Sequence, residues 1–322
     1  MRPASRVGGH RALPVGVAAL VLVAGTAHAH GAAAGGGGLD WDPAIAAWIT
    51  GAALLYARGW WRLGAARRAR VVPGWRAASF TLGIASLLAA LLSPLDALAD
   101  DLFSAHMVQH LVLLLVAPPL LVAGRPWLAW LWAFGLPRRR ALGRAFARLR
   151  RSGAARTAMG PAAVWLALTV VLWFWHLPGP YDRALANRDL HFVEHLCFFL
   201  VSIAFWTLVI EPYRVRRRLG HGPALLFVAS IALQNGLLGA LLTFAGHPLY
   251  PAHLGHTAAH GLTALEDQQL AGLIMWVPAS AVHLAALSWL FVSWLNAAGR
   301  DGAQPTTRAG SRISTNSSAA VG

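Results

Sequence analysis

The sequence predicts an all-α fold: a polytopic transmembrane helical bundle of about seven spans, with its N-terminus outside and its C-terminus cytoplasmic. Of its 322 residues 57% are apolar and only 12% charged, with a mean hydropathy of +0.53, a balance outside the soluble globular range. Apolar runs of about 20 residues recur along the chain, long enough to cross the hydrocarbon as helices. No lysine occurs, so the formal charge of +15 is carried by arginine. A charge of that size suits nucleic acid, but these arginines fall in short clusters between apolar runs, the pattern of membrane topology. A lipid bilayer, and no nucleic acid, is the expected partner.

Arg2, Arg6 and Arg11, the apolar stretch from Ala12 to Gly25, and Ala27-His28-Ala29 match a secretory signal with an A-x-A cleavage site, so residues 1–29 are read as a cleaved signal peptide. An uncleaved first helix is the alternative. Cleavage would leave His30 as an N-terminus whose amine and imidazole can chelate copper. Residues 30–41 form a Gly-rich periplasmic connector, and 297–322 a Ser/Thr/Gly/Ala-rich cytoplasmic tail with little to pack. Between them a seven-span membrane domain covers 42–296, with spans near 42–62, 74–93, 103–123, 158–177, 190–210, 223–245 and 270–295. The segment from Arg125 to Pro137 is too short to span and is expected along the inner interface. Pro118-Pro119 predicts a kink or an unwound stretch in the third span, and Gln234 and Asn235 are expected to bond across helices in the sixth.

Orientation follows from the arginines. The first, third and fifth connections hold six, nine and four, and the tail three; the opposite side has only Arg183 and Arg188. Cytoplasmic loops carry the arginine excess, which places the mature N-terminus outside. An odd number of spans after a cleaved signal gives the same answer.

Ten of the twelve histidines beyond the signal then fall on the outer face: His30, His106, His110, His176, His191, His195, His247, His253, His256 and His260. With 14 histidines in the chain, roughly 0.6 i,i+4 pairs are expected by chance, and three occur: His106/His110, His191/His195 and His256/His260. On an α-helix such a pair stands one turn apart on one face, the arrangement that binds an ion. His106 to His110 opens the third span and His191 to His195 the fifth, both as H-x-x-[Q/E]-H. If these same-direction helices meet, four imidazoles and Glu194 share one outer-leaflet pocket. The candidate metal ligands are therefore His106, His110, His191, His195 and Glu194, with His176 completing the cluster and Met107 or Met275 supplying a thioether for Cu(I). A lone histidine at a helix end is more often an interhelical hydrogen-bonder, and His253, His256 and His260 read equally as solvated residues or as a metal-capturing loop. The one cysteine, Cys197, lies in an apolar run, so no disulfide or CxxC motif is available.

Four stretches resemble a known family: Ser93-Pro94-Leu95, FSAHMVQHLVLLLVAPPLLVAGRP from Phe103 to Pro126, HFVEHLCFF from His191 to Phe199, and DQQLAGLIMWVP from Asp267 to Pro278. They are similar to the multi-span CtaG family of cytochrome c oxidase assembly factors, distinct from the single-span copper chaperone of the same name. The likeness runs from about residue 40 to 296. It implies a non-enzymatic, multi-pass protein of the bacterial cell (inner) membrane that serves respiratory chain biogenesis by helping copper reach the catalytic subunit of a haem–copper oxidase. A periplasmic copper donor would load it. The ligand set is assigned from spacing and topology, not from the family. Two other classes stay open: a membrane metallopeptidase using H-x-x-E-H, with Glu194 as base, and a haem-binding membrane electron carrier with one histidine from each of two helices.

Overall fold

A computed structural model describes residues 43–210 and 220–302; the expected signal segment, the connector with His30, the arginine run 214–218 and the tail beyond 302 lie outside the described residues. The described residues are helical throughout, with no strand. In chain order the helices are α1 (Pro43–Arg62), α2 (Ala65–Val71), α3 (Gly74–Leu91), α4 (Pro94–Asp101), α5 (Phe103–Ala123), α6 (Pro126–Ala133), α7 (Leu136–Arg151) and α8 (Gly153–Ala158). Then follow α9 (Pro161–Trp175), α10 (Pro178–Ala186), α11 (Arg188–Ile210), α12 (His221–Thr243) and α13 (Ala264–Gly302).

Five helices, α3, α5, α11, α12 and α13, are long and apolar enough to cross a membrane, and α9 with α10 makes a sixth if the bent pair is one span. Helix α1 occupies the first expected span but falls short of that apolarity, because Arg58 and Arg62 lie within it. The fourth expected span departs further from a rod. Helix α9 stops at Trp175 after 15 residues, about 22 Å at helical rise and short of about 30 Å of hydrocarbon, and the chain turns by 75° into α10. The cause is Pro178, which opens α10 and holds Leu177 in an extended conformation that no helix can pass through. The connection before α5 is also helical: Ser93 caps α4, and Pro94 takes its first position. At the other end of the chain, α13 runs six residues past the expected start of the tail.

The bundle is apolar outside and encloses a group of polar side chains within its apolar core. Leu226, Leu233, Leu237, Val277, Leu284 and Phe291 face outward, whereas His106, Gln109, His110, Glu194, Asp267 and Gln268 are buried. A soluble protein would not leave such a surface bare, and lipid requires it. Helices α12 and α13 approach closely at Gly239 and Gly272, where an added Cβ at Gly272 would stand 2.6 Å from the Thr243 amide nitrogen and 2.7 Å from the Gly239 carbonyl oxygen. Asn235 bridges the same two helices through the Met275 carbonyl (3.0 Å). Gln234 leaves its Oε1 buried without a partner. Helix α6, expected along the interface, packs on α1, with Trp130 donating to the Ala52 carbonyl (3.0 Å).

Pro118 has no N–H to give to the Leu114 carbonyl, and α5 responds with a π-helical stretch, Val112–Val116. The freed Leu114 oxygen accepts from Ser202 Oγ and from Trp206 Nε1 (2.8 Å), both on α11. That bond locks α5 to α11 in a register where both run the same way.

Candidate metal centre

The site is built on two anchored helix starts. Helix α5 begins without a capping side chain of its own, and Asp267 of α13 serves instead. Its carboxylate accepts from the Phe103 amide (2.7 Å), the Ser104 amide (3.1 Å) and the Ser104 hydroxyl. A buried carboxylate thus satisfies donors that the first helical turn leaves open, and it complements the helix dipole. Helix α11 is capped more conventionally: Asn187 Oδ1 accepts from the Leu190 amide (3.0 Å). One turn beyond each anchor stand the paired histidines.

The four imidazoles meet. His106 stacks on His191 with ring centroids 5.1 Å apart and planes inclined by 17°. His106 and His195 lie 5.8 Å apart, His110 and His195 5.4 Å, and the rings within each pair 4.3 and 4.2 Å. Glu194 Oε1 reaches to 3.6 Å from His110 Nε2. Two donor groups result, His106 with His191 and His195, and His106 with His110 and Glu194, each with its ligand atoms within 4.8 Å of one another. They share His106. His176 completes the wall at 6.1 Å from His110. Its Nδ1 gives its proton to the Leu172 carbonyl (2.7 Å), which fixes the tautomer and leaves the Nε2 lone pair unused.

Nearly every polar atom of this cluster is buried without a hydrogen bond: both nitrogens of His106 and His110, Nε2 of His176, His191 and His195, and both oxygens of Glu194. Each such orphan costs about 1–3 kcal/mol, and so many in one place are tolerable only if something pairs them. A cation does so. Tetrahedral ligation at about 2.0–2.1 Å from nitrogen sets donor atoms roughly 3.3 Å apart, so a closure of about 1.5 Å or less converts either group into a ligand shell. The residues present therefore fit a metal ion.

Of the remaining predicted ligands, Met107 does not join the imidazoles: it points about 100° around α5 from His106, into the apolar cluster of Phe103, Leu172, Trp175, Tyr181 and Phe198 that also holds Met275. His283 sits apart, its Nδ1 against the Ala279 carbonyl (2.8 Å). The third histidine pair is in a loop built of two short 3₁₀ turns, not on an α-helix, and is described further below.

Three contributors went unassigned in the sequence. Asp267 holds the start of α5, Gln109 ties α5 to α4 through Asp96 (2.6 Å) and to the Ala90 carbonyl (2.8 Å), and Tyr181 roofs the cluster. The Tyr181 ring lies 5.2 Å from His106, and its hydroxyl bonds His253 Nε2 (2.7 Å). The bend at Pro178 is what carries α10, and Tyr181 with it, across the end of the bundle.

The profile of the cytochrome c oxidase caa3 assembly factors matches residues 54–297, which spans all of these elements. The chain belongs to that family. Neither a curated protein nor a solved structure matches it. An oxidase is thereby the partner of this assembly factor.

Proposed function

We propose that this assembly factor carries copper as cargo, holding it transiently between His106, His110, His191, His195 and Glu194 and releasing it to the catalytic subunit of a haem–copper oxidase within the membrane plane. The observation that carries the reading is the set of unpartnered imidazole nitrogens buried around one point. Imidazole donors suit copper, and a site of neutral ligands that is only partly closed favours release. An apolar crevice of about 220 Å³ between α1, α3, α5, α6 and α11, which His195 also lines, offers a sideways exit. The arginine distribution sets this end of the bundle outside, in reach of a periplasmic copper donor.

The rival classes fit the geometry less well. A haem between two histidines needs an open slot for the macrocycle, and these rings are already in contact at 4.2–5.8 Å. A peptidase needs Glu194 beside water and a substrate carbonyl, and Glu194 is fully buried against His110. The test is the His106→Ala/His110→Ala variant in cells that depend on this oxidase. Oxidase activity and oxidase copper content both fall while the assembly factor stays in the membrane; normal oxidase copper in that variant contradicts the reading.

A further inference from the structure

A second group of histidines lies on the same end of the bundle, outside the buried cluster. Asp101, the last residue of α4, is half-exposed, and three histidines of the loop between α12 and α13 converge on it. His260 Nε2 stands 3.2 Å from Oδ2 and His256 Nδ1 3.7 Å from Oδ1, while His253 Nδ1 contacts the Asp101 backbone oxygen at 3.3 Å. Gly255 (φ 97°) and Gly261 (φ 74°) turn the loop so that this is possible. His256 and His260 are solvent-accessible, with side chains 58% and 32% exposed. His253 is buried, and its far nitrogen bonds the hydroxyl of Tyr181, the roof of the metal centre.

We propose that Asp101, His256 and His260 form a surface site that captures a borderline divalent cation, Cu(II) in the first instance, and hands it past His253 and Tyr181 to the buried imidazoles. The hand-over rests on the reading of the buried cluster given above; the capture does not. Two imidazoles and a carboxylate make a donor set suited to Cu(II) or Zn(II). A structural tie alone would need only the His260–Asp101 bond; His256 lies beyond hydrogen-bond distance and adds nothing to it. The local field favours a cation. Asp96, Asp100, Asp101, Asp182, Asp189 and Glu266 surround this end against Arg183 and Arg188, and the loop carries no arginine or lysine. Transfer is ligand exchange, imidazole for imidazole, with no change of oxidation state.

The experiment adds Cu(II) to the full-length protein in detergent and measures bound copper after desalting, the rate of loading and the electron paramagnetic resonance signal. The wild type binds one equivalent more than His256→Ala/His260→Ala, and its buried site fills at least tenfold faster. His106→Ala/His191→Ala retains one equivalent whose spectrum shows two nitrogen donors, and Asp101→Asn weakens it. Equal stoichiometry and equal loading rate in wild type and loop variant overturn the proposal while leaving the buried cargo site intact. Loss of the loop equivalent alone, with no copper lost on removing His106 and His191, upholds the surface site and removes the buried one.

Discussion

The buried imidazoles and the surface pair on Asp101 occupy the same end of the bundle and share the i,i+4 spacing, yet they differ in what holds them. In α5 and α11 the helix itself aligns each pair, and the register fixed by the Leu114 carbonyl brings the pairs together without solvent. In the loop, 3₁₀ geometry sets residues four apart on different sides, and Asp101 gathers the rings from outside. The first arrangement is pre-organised, dry and electrostatically unsatisfied; the second is solvent-exposed and held on Asp101. That contrast suits a closed store below and an accessible collector above.

The largest effect expected is on the buried side. His106→Leu/His110→Leu replaces orphaned nitrogens by apolar groups of similar size, so the metal-free protein unfolds at the same or a higher temperature than wild type. With the surface site removed by His256→Ala/His260→Ala, copper at a thousandfold over its Kd stabilises the chain with intact buried pairs by about 4 kcal/mol and the chain that also carries His106→Leu/His110→Leu far less. Thermal unfolding in detergent reads both, and equal copper-induced shifts in the two break the contrast. Next comes the seam that positions the loop: Gly272→Ala overpacks α12 against α13 and costs about 1–3 kcal/mol. Asp267→Asn weakens the cap on α5 by about 1–3 kcal/mol and loosens His106, which lowers copper affinity without touching a ligand.

Tyr181→Phe keeps the roof and removes its bond to His253, at a cost of about 1 kcal/mol; loading slows while the final copper content is unchanged. The smallest effect is one of pH. Burial holds His253 below the ordinary histidine value near 6.5, opposed by its contact with the Asp101 carbonyl. The unfolded loop therefore binds the proton more readily than the packed one, so packing is full above that value and weakens as pH falls through it. Protection factors of residues 250–261, corrected for the pH dependence of intrinsic exchange, should fall from alkaline to mildly acid pH while those of α5 stay high.

The sequence carried much of this. A bilayer forces helices, so the spacing of His106/His110 and His191/His195 translated directly into shared faces, and same-direction spans followed from counting. The third pair was left open between solvated residues and a metal-capturing loop, because in a loop whose turns are set by Gly255 and Gly261 the i,i+4 spacing does not translate into a shared face. Met107 and Met275 were named for a thioether that favours Cu(I), and the fold places both in one apolar cluster beside the imidazoles. The break at Leu177-Pro178 was readable from the proline, but its consequence, Tyr181 over His106, depends on the direction of a 75° bend. Asp267 lies 164 residues from the amide it caps, and only the fold brings them together.

X-ray absorption at the copper edge of the purified, copper-loaded protein tests the central claim most directly. A first shell of three or four imidazole nitrogens that is lost when His106, His110, His191 and His195 are replaced together, in a chain that also carries His256→Ala/His260→Ala, is the result predicted here. A shell of sulfur, or an imidazole shell that persists in that variant, would contradict it.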